Sequence, residues 1–248
     1  MTTAPVSVVH EPTKQEGFRK NIVKLNLSSL ALYNNSLSYE RTLTKKMTIV
    51  VGYRYMPRTT ATSAFLVQKY SAQLDKEDAD LKEDLNATLV GNNTVTGEIR
   101  FYSGKKPGAR GFYLSLYGRY LNVDALLPHE YETDTRIYSI PLAGKISGFG
   151  AGVMMGSQWL IAKRVAFDWY ILGGHYGKLQ IDLHSESDLR SLSAAERQGL
   201  ESDLESLSDD LPIKPKTKAT VTAQGAKLTG TMPFIGIRSL GFNLGIAF

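Results

Sequence analysis

The ionisable residues of this chain fall into two patterns, and each invites a different chemistry. One set is spaced singly along apolar segments: Lys24, Glu40, Arg54, Glu98, Arg100, Arg119 and Asp168. Their chain neighbours include Val23, Leu25, Tyr39, Tyr53, Ile99, Phe101, Tyr120 and Phe167, so on a strand each charge faces away from a greasy surface. Charges gathered on one face of such strands must pair with one another or line a polar path. A plug of salt bridges and Tyr hydroxyls is the expectation, because a narrow barrel fills its interior with side chains; a gated proton or ion path competes with it. The second set is acidic and clustered, Asp75 to Asp84 and Glu196 to Asp210, with Leu residues interspersed at mostly helical spacing. Carboxylates are Ca²⁺ ligands, but neither run has the Asp-x-Asp-x-Asp-Gly frame of a calcium loop, and solvated helix faces are expected instead.

Other chemistries find little support. Cysteine is absent, which removes disulfides, thiolate metal sites and thiol nucleophiles. His175, His184 and Ser185 lie near one strand end, where a hydrolase of membrane lipids would carry such a pair. No nucleophile motif or fixed general base accompanies them, so no catalytic residue, metal or cofactor is assigned, and His175 is expected at an aromatic belt. The formal charge of +5 is spread over short turns, Lys45 and Lys46, Lys105, Lys106 and Arg110, Lys163 and Arg164. Paired cations separated by strands do not make a nucleic-acid patch; they suit lipid phosphates.

The elements that position these residues are strands. Leu240, Phe242, Leu244, Ile246 and Phe248 alternate with Gly241, Asn243, Gly245 and Ala247. The same period-two pattern runs through segments beginning near Val23, Leu37, Met47, Val95, Phe112, Gly148 and Val165. About eight strands result. The connections after strands two, four and six are short, and those after three, five and seven are long. Helices are expected in the first and last long loops, around Leu74 to Leu89 and Leu192 to Leu207.

The expected fold is all-β: an eight-stranded antiparallel transmembrane up-and-down β-barrel over residues 21–248, with short helices in long external loops at about 58–93, 122–146 and 184–230. Residues 1–20 read as a flexible periplasmic leader without the apolar core of a signal peptide, so an exported form is expected to be a mature chain with an added Met. Phe112, Trp159, Phe167, Trp169, Phe242 and Phe248 would form the lipid-facing belt, Phe248 closing a terminal assembly signal. Strict alternation puts Arg238 on that same face, at the outer interface against a lipopolysaccharide phosphate, unless a bulge turns it inward.

Tyr39-Glu40-Arg41, Glu98-Ile99-Arg100-Phe101-Tyr102, Arg110-Gly111-Phe112-Tyr113-Leu114, Gly156-Ser157-Gln158-Trp159-Leu160 and the Phe248 terminus together resemble the DUF3575 family of Bacteroidota outer-membrane proteins, over most of residues 21–248 except the loop at 184–229. The resemblance implies a small outer-membrane barrel related in architecture to OmpA- and OmpW-type proteins, and no chemistry. The functional expectation is a filled, non-conducting barrel with a structural or interaction role through its external loops. Its partners would be membrane lipids and lipopolysaccharide, the barrel assembly machinery during insertion and an outer-membrane protein partner, with no nucleic acid. An OmpW-like passage for small hydrophobic molecules, opening through the wall at the Gly-rich sixth strand, is the alternative, and an outer-leaflet lipid-modifying enzyme the third.

Overall fold

The computed structural model describes residues 18–30, 34–60, 87–104, 106–207, 209 and 213–248. The expected leader over residues 1–20 and the helix around Leu74 to Leu85 lie almost wholly outside them. Twelve strands are described: β1 (Asn21–Asn26), β2 (Asn35–Thr42), β3 (Met47–Thr60), β4 (Leu89–Tyr102), β5 (Gly111–Leu127), β6 (Glu130–Glu132), β7 (Ile137–Ser139), β8 (Leu142–Ile161), β9 (Val165–Glu186), β10 (Lys216–Thr222), β11 (Gly225–Pro233) and β12 (Gly236–Ala247). Helix α1 spans Leu27–Leu30 and α2 spans Ala194–Ser206.

Eight strands form an antiparallel ring in the order β1-β2-β3-β4-β5-β8-β9-β12. It closes between β12 and β1, where the Asn21 N–H donates to the Phe248 carbonyl at 3.1 Å and the Phe248 N–H to the Asn21 carbonyl at 2.9 Å. The ring follows from the period-two sequence: Leu114 and Leu116 of β5 are exposed on its outer surface, while Tyr113, Ser115 and Tyr117 between them are buried inside. On β8 the inward positions include Gly148 and Gly152, where a Cβ would overlap the carbonyl oxygens of Lys178 and Gly174 on β9. These glycines let two long strands lie close. β8 stays paired to β9 from Ala143 to Ile161 with a single irregularity, so they mark close approach and no gap.

That irregularity resets the alternation. Met155 pairs with Leu172 and Gly156 with Tyr170, leaving Ile171 as an extra residue on β9, a bulge. At the same level on β12, Leu240 adopts a left-handed φ of 50°. Below this level Phe242 and Leu240 point outward; above it Ile237 points outward and Arg238 inward. On β9, likewise, Leu172 and Tyr176 are exposed while His175 is buried. Arg238 therefore does not face outward as strict alternation predicts, and His175 is not on the outer belt. One level of kinking corrects both.

At the end away from the short turns, β5, β8 and β9 run well beyond the lengths their alternation suggested. β9 carries the β10–β11 hairpin on its edge within what the sequence reads as a helical loop. Leu89 begins β4 and ends no helix. The long strands, α2 and the small β6–β7 hairpin enclose a second apolar core that includes Ile140, Leu142, Leu183, Leu189, Leu200 and Leu204. Among the described residues no helix is long and apolar enough to cross a membrane.

Candidate functional site

The lumen of the ring holds the singly spaced charges in two tiers. The tier nearer the short turns is built around Lys24 of β1. Its ammonium donates to Glu40 Oε2 at 2.7 Å, Asp168 Oδ2 at 2.7 Å and Gln158 Oε1 at 3.0 Å, so each of its three hydrogens has an acceptor. Glu40 Oε1 accepts from the Thr48 hydroxyl at 2.6 Å and the Tyr102 hydroxyl at 2.7 Å. Asp168 Oδ1 accepts from the Tyr113 hydroxyl at 2.8 Å. Arg100 donates from Nε to Glu98 at 2.8 Å and from NH1 to Asp168 at 2.8 Å, with its guanidinium 4.3 Å above the Tyr113 ring centre. Lys24, Glu40 and Asp168 side chains are fully buried.

Five strands, β1, β2, β4, β8 and β9, converge on this cluster, together with β3 and β5 through Thr48 and Tyr113. Buried ions of this kind persist only where desolvation is offset by attraction and complete hydrogen bonding. Here the offset is supplied by neutral partners that carry no charge pattern: Gln158, Thr48, Tyr102 and Tyr113. Gln158 is itself held by a 2.7 Å bond from Nε2 to the Ala109 carbonyl in the β4–β5 turn. The cluster thus ties the lumen to the turn beneath it.

The second tier is different. Arg54 of β3, Arg119 of β5 and Arg238 of β12 line a cavity of about 40 Å³ together with Glu98, Tyr170 and Asn243. Arg238 lies 5.2 Å from the Tyr117 ring centre and 5.0 Å from that of Tyr170. Its NH1 is 3.5 Å from Glu98 Oε1 but makes no hydrogen bond among the described residues. Arg119 Nε is likewise buried without an acceptor among them, within electrostatic reach of both Arg54 and Arg238. Of the seven charges placed on the inner face by sequence, the structure joins Lys24, Glu40, Glu98, Arg100 and Asp168 in one bonded network, and sets Arg54 and Arg119 apart with Arg238, which sequence placed elsewhere.

Above Arg238, His175 Nδ1 lies 3.0 Å from the Tyr117 hydroxyl, and its ring meets Phe234 edge-on at 4.5 Å. His184 and Ser185 are consecutive on β9 and face opposite sides, His184 outward and Ser185 buried beside Ser187 at 2.9 Å. The three residues considered for hydrolysis do not converge. No group of three or more His, Asp or Glu with metal-holding geometry occurs among the described residues.

The acidic residues of α2 are engaged within the protein. Glu196 and Ser193 form a reciprocal capping box, whose hydrogen bonds hold the Glu196 carboxyl below its ordinary range. Glu201 accepts the Val221 N–H and Glu205 the Ala219 N–H, each at 2.9 Å. Asp203 Oδ2 lies 2.8 Å from His129 Nε2. The expectation of a merely solvated face is corrected for these positions.

On the outer surface, Phe112, Trp159, Phe242 and Phe248 are exposed. Phe167 and Trp169 stack with Phe242, both at 5.9 Å between ring centres, and Trp159 packs on Phe167 at 5.8 Å. A second aromatic tier, Tyr53, Tyr55, Tyr120, Phe149 and Tyr176, is exposed nearer the far end, and the sequence reading did not single it out as one.

The sequence model of the family described as "Protein of unknown function (DUF3575)" matches residues 5–191 of this chain, and the chain belongs to that family. The matched stretch begins earlier than the resemblance read from sequence motifs and stops short of β10, β11 and β12. No curated protein and no solved structure matches the chain.

Proposed function

We propose that this DUF3575 member is an integral β-barrel of the bacterial outer membrane with a closed lumen, acting as a structural or interaction protein through the lobe at its far end. The observation that carries this reading is the pair of aromatic tiers on the outer wall. Between Trp159 and Phe149 on β8 lie about ten residues, which at ~3.4 Å per residue and a strand tilt near 40° span roughly 25 Å, the height of the apolar band of a membrane barrel. The intervening outward residues, Val153 and Met155 on β8 and Leu114 and Leu116 on β5, are large, apolar and exposed. A ring-shaped apolar surface of this extent is far more than a soluble monomer leaves in water. In this frame the short turns with Lys45, Lys46, Lys163 and Arg164 sit at the periplasmic interface and the α2 lobe projects outside the cell.

The bonded network around Lys24 supports a lumen that is structural, with no continuous path for solutes through that level. The lobe has its own apolar core, which supports a rigid platform for an outer-membrane partner or for lipopolysaccharide. The test is migration from mild detergent before and after boiling, together with membrane fractionation. A heat-shifted band in the outer-membrane fraction is expected; a monomer stable in buffer without detergent would overturn the reading.

A further inference from the structure

Among the described residues the lower tier of the lumen pairs all its charges, whereas the upper tier leaves Arg119 Nε and Arg238 Nη1 buried without a hydrogen-bond acceptor, Arg238 keeping only a 3.5 Å ion pair to Glu98. We propose that Arg54, Arg119 and Arg238 form a binding site for a small inorganic oxyanion, of the phosphate or sulfate class, held in the barrel lumen. Four guanidinium groups from four separate strands line one cavity; Arg100 is bonded to Glu98 and Asp168, which leaves Arg54, Arg119 and Arg238, and Glu98 is the carboxylate that shares the space. Glu98 already gives Oε2 to Arg100 Nε and meets Arg238 at 3.5 Å without a hydrogen bond. Among the described residues of the lumen, Lys24, Arg54, Arg100, Arg119 and Arg238 outnumber Glu40, Glu98 and Asp168. A buried cation without a counter-charge is costly, and like charges at close range add to the cost. The partner these donors call for is anionic, and it must accept hydrogen bonds from more than one direction, because Arg119 Nε on β5 and Arg238 Nη1 on β12 are both buried.

Size narrows the class. A single water needs at least ~10–15 Å³, so a cavity of about 40 Å³ holds a group of a few heavy atoms and no lipid headgroup. Planar guanidinium forks match the paired oxygens of phosphate or sulfate better than a spherical halide. Of the neutral lining groups, Ser38 adds a hydroxyl donor without adding negative charge, while the amides of Asn26 and Asn243 are held by Tyr170 and Asp168. The site depends on lumen geometry and not on where the barrel resides, so its failure would leave the membrane reading standing, and the converse also holds.

The experiment titrates the folded full-length protein in neutral detergent with inorganic phosphate, with sulfate, and with chloride at matched ionic strength, following calorimetric binding and the thermal unfolding midpoint. Phosphate or sulfate should bind saturably and raise the midpoint. Arg119→Gln should weaken binding about tenfold or more, the loss of a charge-assisted hydrogen bond. In anion-free buffer Arg119→Gln should melt no lower than the wild type, because it removes an uncompensated charge, which separates loss of a ligand from loss of the fold. Arg58→Gln, whose exposed side chain pairs with Asp124 outside the cavity, should bind as the wild type does. Absence of saturable binding, equal binding by Arg119→Gln, or an equal gain from chloride would each overturn the proposal.

Discussion

At the scale of single residues, the lumen separates charges that look alike in sequence. Lys24 and Arg119 are both lone cations on an inward strand face, yet Lys24 has an acceptor for every hydrogen and Arg119 has a buried donor without one. Replacing Lys24 by Met would leave Glu40 and Asp168 facing each other in a dry interior. The expected cost is about 3–5 kcal/mol, the usual penalty for stranding one side of a buried ion pair. Guanidinium unfolding in micelles, followed by the fluorescence of Trp159 and Trp169, would measure it, and an unchanged midpoint would show that the cluster is not what holds the lumen. The inward phase of these charges was legible because alternation is a local property. Which of them meet was not, since that depends on register: Gln158 reaches Lys24 only because β8, β9, β12 and β1 align as they do. The outward placement of His175 fails for a related reason, and for Arg238 it is the alternative, a bulge that turns it inward, that the structure shows. The phase reset at Ile171 and Leu240 has no sequence mark, as leucine is not a residue that favours a left-handed backbone.

At the scale of elements, two free strand edges are closed by side chains from short helices. The upper half of β12 has left its partner β1, and Ser28 of α1 takes the Phe242 N–H at 2.9 Å. Among the described residues β10 pairs only with β11, and Glu201 and Glu205 of α2 accept two of its outward N–H groups. An exposed edge of this kind invites pairing with other chains, so the acidic helix acts as a cover. Glu201→Ala with Glu205→Ala should release it. Amide exchange at Ala219 and Val221 should quicken by tenfold or more, each bond contributing about 1 kcal/mol or somewhat above, while the barrel midpoint stays put. Unchanged exchange would mean that the helix is held by its leucines alone. The helix itself was readable from Leu200 and Leu204, both buried. The hairpin beside it was not singled out, although Ala219 and Val221 alternate with threonines before Gln224-Gly225. The purpose of the carboxylates was hidden because their partners lie across the lobe and not along the chain.

At the scale of the molecule, a closed ring with an apolar outside and a charged inside inverts the arrangement of a soluble barrel, and that inversion can be tested by depth. Leu116 and Tyr120 lie on the same outward face of β5 with nearly the same exposure, 50% and 48%. In water, an arginine at either position would be a surface substitution worth no more than ~0.5 kcal/mol. In a bilayer the two positions differ, because Leu116 falls between the aromatic tiers and Tyr120 within one. Arg at the midplane of a membrane barrel costs about 2–4 kcal/mol and near an interface about 0–1. Leu116→Arg should therefore destabilise the protein refolded into vesicles by several times as much as Tyr120→Arg, measured by denaturant titration at equal lipid-to-protein ratio. The same pair in detergent-free buffer has no reason to differ. Equal and small effects in vesicles would place the apolar wall against something other than lipid, and the proposed outward projection of the α2 lobe would fall with it.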